Sequence, residues 1–380
     1  MIIILVMILA FNVIGLLLAS KFNFSTRIIK WILITNAMIF ALIAFLMEPY
    51  WDLVENFKYI KSIDDSGEFF GMLFKPYSKM FTGYQFYIVF NLICFICVKI
   101  GNYHLVPCFM VLVDYLIFAY IMTDYTKKNK IKNYNIYIPA ILLNMVFVPF
   151  YLAINGMRNA TAAAIVGLAV YRFYYCNQRI KSTFFIIIIA ALIHPLSLCV
   201  IPFILVTYYN ITIQALVIML IIVLTSQRLY IIMINSSSEF IKLIGSKMIT
   251  YSGSDQFVGG MIYLYADLLC LLIILGNFVY RILSNHRKKV FIDNFDKFVT
   301  LYVIFIFGNI GNYDLILRPT YFFGFLTPIL ITKLVQVEFS ISHKTQIFLK
   351  HLSLIIICII SIIVIMDYVP FMIEHLDAYI

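Results

Sequence analysis

Long apolar runs broken by short polar stretches set the pattern of this chain. They lie near residues 1–20, 31–49, 85–100, 104–123, 135–153, 159–176, 183–208, 211–227, 257–280, 298–311, 321–337 and 352–373. None holds more than one charged residue, and about 20 apolar residues suffice to cross a bilayer as a helix. In hydrocarbon, a helix satisfies its own backbone N–H and C=O groups. Strands of a membrane barrel would alternate polar and apolar residues, and these runs do not. The pattern predicts an all-α, polytopic transmembrane helix bundle of about 10–12 membrane segments. We read residues 1–380 as a single integral membrane domain with polar outer loops near 50–84 and 231–256.

Composition sharpens this picture. Hydrophobic residues make up 63% of the chain and charged ones 12%, with a mean hydropathy of +0.99. A soluble domain averages about 25% charged residues, so most of this apolar surface must face lipid. The first twenty residues lack a basic stretch ahead of the apolar run and read as a retained first span. Cys94 and Cys97 form a CxxC inside ICFIC, but no second pair stands at metal-ligand spacing. With no HExxH and no clustered acids, neither a metal nor another cofactor is expected.

The net charge of +10 would suit nucleic acid if it formed one patch. Instead, more than half of the 28 basic residues sit in five clusters between apolar runs. These are Lys21/Arg27/Lys30, Lys127/Lys128/Lys130/Lys132, Arg179/Lys181, Arg281/Arg287/Lys288/Lys289/Lys297 and Lys333/Lys344/Lys350. That is the positive-inside pattern, so the expected partners are membrane lipids and not nucleic acid. Placing all five clusters in the cytoplasm leaves 50–84 and 231–256 outside. An odd number of crossings must then separate 84 from 127, yet two apolar runs intervene. The same conflict arises between residues 181 and 231. One run in each interval is therefore expected to enter the membrane and return. In 183–208 the break falls at Pro195, where proline removes a helix hydrogen bond. In 85–100 it falls at Lys99, Gly101 and Asn102.

Two arginines lie away from the basic clusters. Arg158, in NGMRNATAAAIVG, opens a helix of small residues, where a fixed cation joins the positive end of the helix dipole. It could bind phosphate or could snorkel to lipid headgroups. Arg318, in NYDLILRPTYFF, again stands at the start of a span, and Asp314 could pair with it. Together the two suggest an anion site on the outer face. His194, in LIHPLS, is an ionisable group within an apolar run; it is either a proton-transfer group or buried structure. Asp64, Asp65 and Glu68 sit in the first outer loop, as base or sugar ligands or as a solvated face. Asp114, Asp267 and Asp367 are single acids in spans, suited equally to proton relay or to helix contacts.

The run from Gly156 through His194 to Phe203 resembles the EpsG-like branch of the Wzy-type polysaccharide repeat-unit polymerases. The matching elements are Arg158 opening a small-residue helix, the short basic loop at Arg179/Lys181, and Ala190 or Ala191 to His194 with Ser197. LRPTYFF supplies the second signature at Arg318, Tyr321 and Phe322. Asp65, Phe69 and Gly83-Tyr84 are similar to outer-loop elements of that family, with Phe81 where an acid would fall.

The resemblance implies a GT-C-like glycosyltransferase in the bacterial cytoplasmic (inner) membrane, with its active site facing the periplasm or exterior. It would polymerise undecaprenyl-diphosphate-linked oligosaccharides in O-antigen (lipopolysaccharide) or capsule synthesis, with a chain-length regulator protein as an expected partner. Arg158 and Arg318 would hold the diphosphate without a metal, and His194 or Asp65 would act as the base. Tyr321 and Glu68 would contact sugar. Two other readings share the same arginines: a lipid-linked oligosaccharide flippase and an O-antigen ligase. The absence of visible internal doubling weighs against a transporter.

Overall fold

The structure, a computed structural model, describes residues 14–15, 25–50, 52–66, 84–129, 136–211, 231–238, 241–242, 245, 261–288, 293–309, 313–336 and 351–367. Its helices are α1 (Thr26–Leu46), α2 (Asp52–Ser66), α3 (Ile88–Ile100), α4 (Leu105–Lys128), α5 (Tyr137–Phe147), α6 (Phe150–Asn155), α7 (Met157–Tyr175), α8 (Ile180–Ala191), α9 (Ile201–Tyr208), α10 (Met261–Lys288), α11 (Asn294–Gly308), α12 (Tyr313–Gln336) and α13 (His351–Asp367). Short 3-10 turns cover Tyr84–Phe86 and Pro195–Val200. No strand occurs among the described residues, as the apolar pattern requires. α1 and α4 are long and apolar enough to cross a membrane, and several shorter apolar helices accompany them. Most of the opening span and residues 212–227 lie outside the described residues, as does most of the second outer loop.

Contacts establish which helix ends meet. α4 and α7 run side by side in the same direction. Thr161, early in α7, donates to Met110 O at 3.5 Å, and Tyr171, late in α7, donates to Asp124 Oδ2 at 2.6 Å. α1 runs the opposite way: Phe40 stacks on Tyr115 with ring centres 4.5 Å apart, and Phe45 meets His104 at 6.0 Å. Arg158 therefore marks one end of the bundle. Arg27, Lys30, Lys127, Lys128, Arg179 and Lys181 gather at the other, about 26 Å away at 1.5 Å per helical residue.

Both segments singled out by parity return to the end they left. α8 rises from the lysine end, and Leu192 O near its top accepts from Val89 N at 3.2 Å. The chain then turns through His194 and Pro195, and α9 descends until the Thr207 hydroxyl meets that of Tyr174. Lys297, at the start of α11, donates to Asn210 just beyond. At the arginine end, α3 starts beside Leu192 and closes on Gly101, whose φ of +86° suits glycine. The chain then brings Tyr103 Oη to Asp64 Oδ2 and starts α4.

Not every break was visible as one. The stretch 135–153 reads as a single run, but Pro149 divides it into α5 and α6. The polar stretch 50–84 contains α2, which buries Leu53, Asn56, Tyr59, Ile60 and Ile63 on one face. Its low average hydropathy conceals that amphipathic period.

Small residues bring α7 and α12 together. A Cβ on Gly167 would stand 2.8 Å from the Cβ of Phe325, so the helices pack backbone to side chain there. Pro328 inside α12 cannot donate to Gly324 O, four residues earlier. Asn144 of α5 takes over that carbonyl, donating from Nδ2 at 2.9 Å. Lys333, near the end of α12, is 4% exposed and not a free surface charge. Its Nζ lies 2.7 Å from both Asp293 and Asp296, the acids that open α11.

Candidate active site at the arginine end

Gly156 ends α6, and Arg158 falls in the first turn of α7. The guanidinium is surrounded by aromatic rings: its central carbon lies 4.3 Å from the ring centre of Tyr84, 4.9 Å from Tyr87 and 5.3 Å from Phe90. Nη2 also donates to Tyr84 Oη at 2.9 Å. Ring quadrupoles attract a cation without neutralising it. Among the described residues Arg158 makes no ion pair, so its charge remains available to an anion.

α2 braces this arrangement from two sides. Tyr59 donates to Asn91 Oδ1 at 2.8 Å, and Asn91 Nδ2 donates to the Tyr84 carbonyl at 2.8 Å. The ring of Tyr59 lies 4.4 Å from that of Tyr84. Burial pushes the Tyr59 phenol well above its ordinary range, which keeps it a donor. On the other side, Asn155 Oδ1 accepts from Leu53 N, and Asn56 Nδ2 donates to Asn155 O, both at 3.4 Å. The turn before Arg158 and the tyrosine beneath it are thus held by one helix.

His194 is the extended residue between α8 and the 3-10 turn, with φ −151° and ψ 120°. Its imidazole is 8% exposed and lies nearly parallel to the ring of Tyr87, 6.4 Å between centres and 12° between planes. Tyr87 is therefore a neighbour of both Arg158 and His194. Arg318 faces a narrow cleft that encloses about 280 Å³ of empty space, mouth included. α7 lines it with Asn159, Ala163 and Val166; the turn after His194 lines it with Leu196, Ser197 and Val200; and Tyr302, Pro319 and Phe322 complete it. One space thus joins Arg318 to the residues immediately following Arg158 and His194.

The remaining site candidates fall differently. Tyr321 is 6% exposed, and the cavity's aromatic wall comes from Phe322 and Tyr302. Asp65 lies on α2 near its end, but its side chain and all of Glu68 and Phe69 are outside the described residues. Among the described residues no group of three or more His, Cys, Asp or Glu side chains could hold a metal ion. Sequence reasoning assigned no role to Tyr84, Tyr87, Phe90 or Asn91. Tyr84 carried a signal as part of the Gly83-Tyr84 element; the other three are ordinary members of an aromatic-rich stretch.

The arrangement is that of an all-helical protein with two fixed cations at one end of its bundle. The chain belongs to the EpsG family, whose sequence profile matches residues 54–374, and it is a polysaccharide-related membrane protein. Neither the curated proteins nor the solved structures give a match.

Proposed function

We propose that this protein is a polytopic polymerase of lipid-diphosphate-linked oligosaccharide repeat units, working on the outer face of the bacterial cytoplasmic membrane. The observation that carries this reading is the cavity shared by Arg318 and the segments following Arg158 and His194. In the transfer, an acceptor hydroxyl oxygen attacks the anomeric carbon of the lipid-linked chain. The bond from that carbon to the diphosphate oxygen breaks, and the lipid diphosphate leaves with its electron pair. Fixed guanidinium groups in a partly dry site stabilise that developing charge without reorganising at the moment of reaction. The acceptor proton must pass to a base; His194, beside Tyr87 and one turn from the cavity, is one candidate, and Asp65 is the other. Tyr302 and Phe322 offer ring faces for sugar, with Tyr321 and Glu68 as further sugar contacts.

The test uses purified protein and lipid-linked repeat units in the presence of a chelator, read as a glycan ladder. Wild type should build the ladder, and folded Arg158→Ala should not. A wild type that only carries intact glycolipid across liposomes would establish the flippase reading instead.

A further inference from the structure

At the end of the bundle opposite Arg158, the first turns of α1 and the last turns of α4 border an open groove. It encloses about 1550 Å³ of empty space, mouth included. Arg27 and Lys30 line it from α1, and Lys127 lines it from α4. Its acid, Asp124, is already engaged: Oδ2 accepts from Tyr171 at 2.6 Å and pairs with Lys128 at 2.8 Å. Among the described residues, none of the three lining cations makes an ion pair. Lys127 sits where a helix favours cations, in its last turn. Arg27 and Lys30 sit at the opposite kind of end, where the positive pole of α1 repels them. Ser25, which precedes α1, makes no side-chain cap there, so its hydroxyl does not offset the dipole. A topology signal accounts for cations being on one side of a membrane, but not for three of them converging on one groove, two of them against a helix dipole. An anion in the groove accounts for both. Trp31 and Tyr120 line the same groove and are 63% and 42% exposed, as rings at the headgroup level of a bilayer are.

We propose that this groove is a binding site for a phosphate-bearing anion, and that the exposed rings select the headgroup of an anionic phospholipid over soluble phosphate. The full chain in detergent would be titrated with phosphatidylglycerol, with phosphatidylethanolamine and with inorganic phosphate, and bound lipid counted by native mass spectrometry. Wild type should retain phosphatidylglycerol in preference to phosphatidylethanolamine. The triple variant R27Q/K30Q/K127Q should weaken that retention about tenfold or more, in line with the attraction of juxtamembrane cations for anionic lipid. R179Q/K181Q, which removes charge at the same end outside the groove, should leave it unchanged. If the triple variant does not fold, the single variants R27Q and K127Q, each checked by thermal melting, carry the same comparison. Binding of inorganic phosphate with no lipid preference would overturn the lipid source. Equal loss in R179Q/K181Q, or no preference for phosphatidylglycerol in wild type, would overturn the site.

Discussion

Arg158 and Tyr84 are joined twice, by a hydrogen bond of 2.9 Å and by a ring face 4.3 Å from the guanidinium carbon. The first contact fixes the direction of one N–H; the second holds the charge without cancelling it. Tyr84→Phe removes only the first, so it should lower polymerisation by about ten- to a hundredfold, as for one hydrogen bond to a charged group. Tyr84→Ala removes both and should cost more. Initial rates of ladder growth distinguish the two, and equal rates in all three proteins would separate Tyr84 from the site.

Asn91 uses both ends of its amide between Tyr59 and the Tyr84 backbone and is 0% exposed. Replacing it with Leu removes the acceptor of the buried Tyr59 phenol and one of two donors to the Tyr84 carbonyl, which Tyr87 N also reaches at 3.0 Å, a loss of about 1–3 kcal/mol. Asn91→Leu should therefore melt earlier in detergent and also polymerise poorly. Tyr59→Phe with Asn91→Leu should recover part of the melting temperature, because the hydroxyl that loses this acceptor is gone.

Asn144 shares with the Thr327 hydroxyl, 3.0 Å away, the carbonyl that Pro328 cannot reach. Asn144→Leu should lower stability by about 1–3 kcal/mol. Pro328→Ala restores a donor within α12, so Asn144→Leu should cost less in that background. Thermal unfolding of the four proteins completes the cycle.

Lys333 stands between two carboxylates, and Asp296 is 0% exposed. Lys333→Met would strand buried negative charge and should destabilise by about 3–5 kcal/mol. Adding Asp296→Asn to it should restore part of the loss. Chemical denaturation followed by tryptophan fluorescence would measure both.

His104, in the turn before α4, is half buried, and burial lowers its pKa below the usual histidine value. The unfolded chain then binds this proton more readily than the folded one. Stability from this group is full above about pH 6.5 and declines as pH falls through the lowered folded value. Melting curves at pH 7.5 and 5.5 should differ more for wild type than for His104→Gln.

Much of this architecture was legible because single residues dictate it. Pro195 cannot continue α8, and the charge parity of the basic clusters required that segment to turn back. Gly101 stops α3 for a similarly local reason. The gathering of Arg27, Lys127 and Arg179 at one end is the arrangement that the positive-inside reading expected. What stayed hidden depends on tertiary contact. Lys333 reads as a loop charge until Asp293 and Asp296 are brought beside it. The rings around Arg158 come from a segment more than 65 residues earlier, in a chain with 35 Phe and 27 Tyr, where one more aromatic carries little information. α2 was concealed because averaging its hydropathy erased the period of its buried face.

The hairpin of α8 and α9 has both feet at the lysine end and its tip at His194. α8 is a rod of 12 residues, about 18 Å at the usual helical rise. A group at the tip of such a rod is positioned by whatever grips its base. The turn at Asn177, with its positive φ of 52°, and the hydroxyl contact of Tyr174 with Thr207 therefore help to set the height of His194 from the far side of the bundle, alongside the bond from Val89 N to Leu192 O at the tip. Substitutions there would act as a coarse adjustment of the site: they would move the imidazole relative to Tyr87 while touching nothing that the substrate touches.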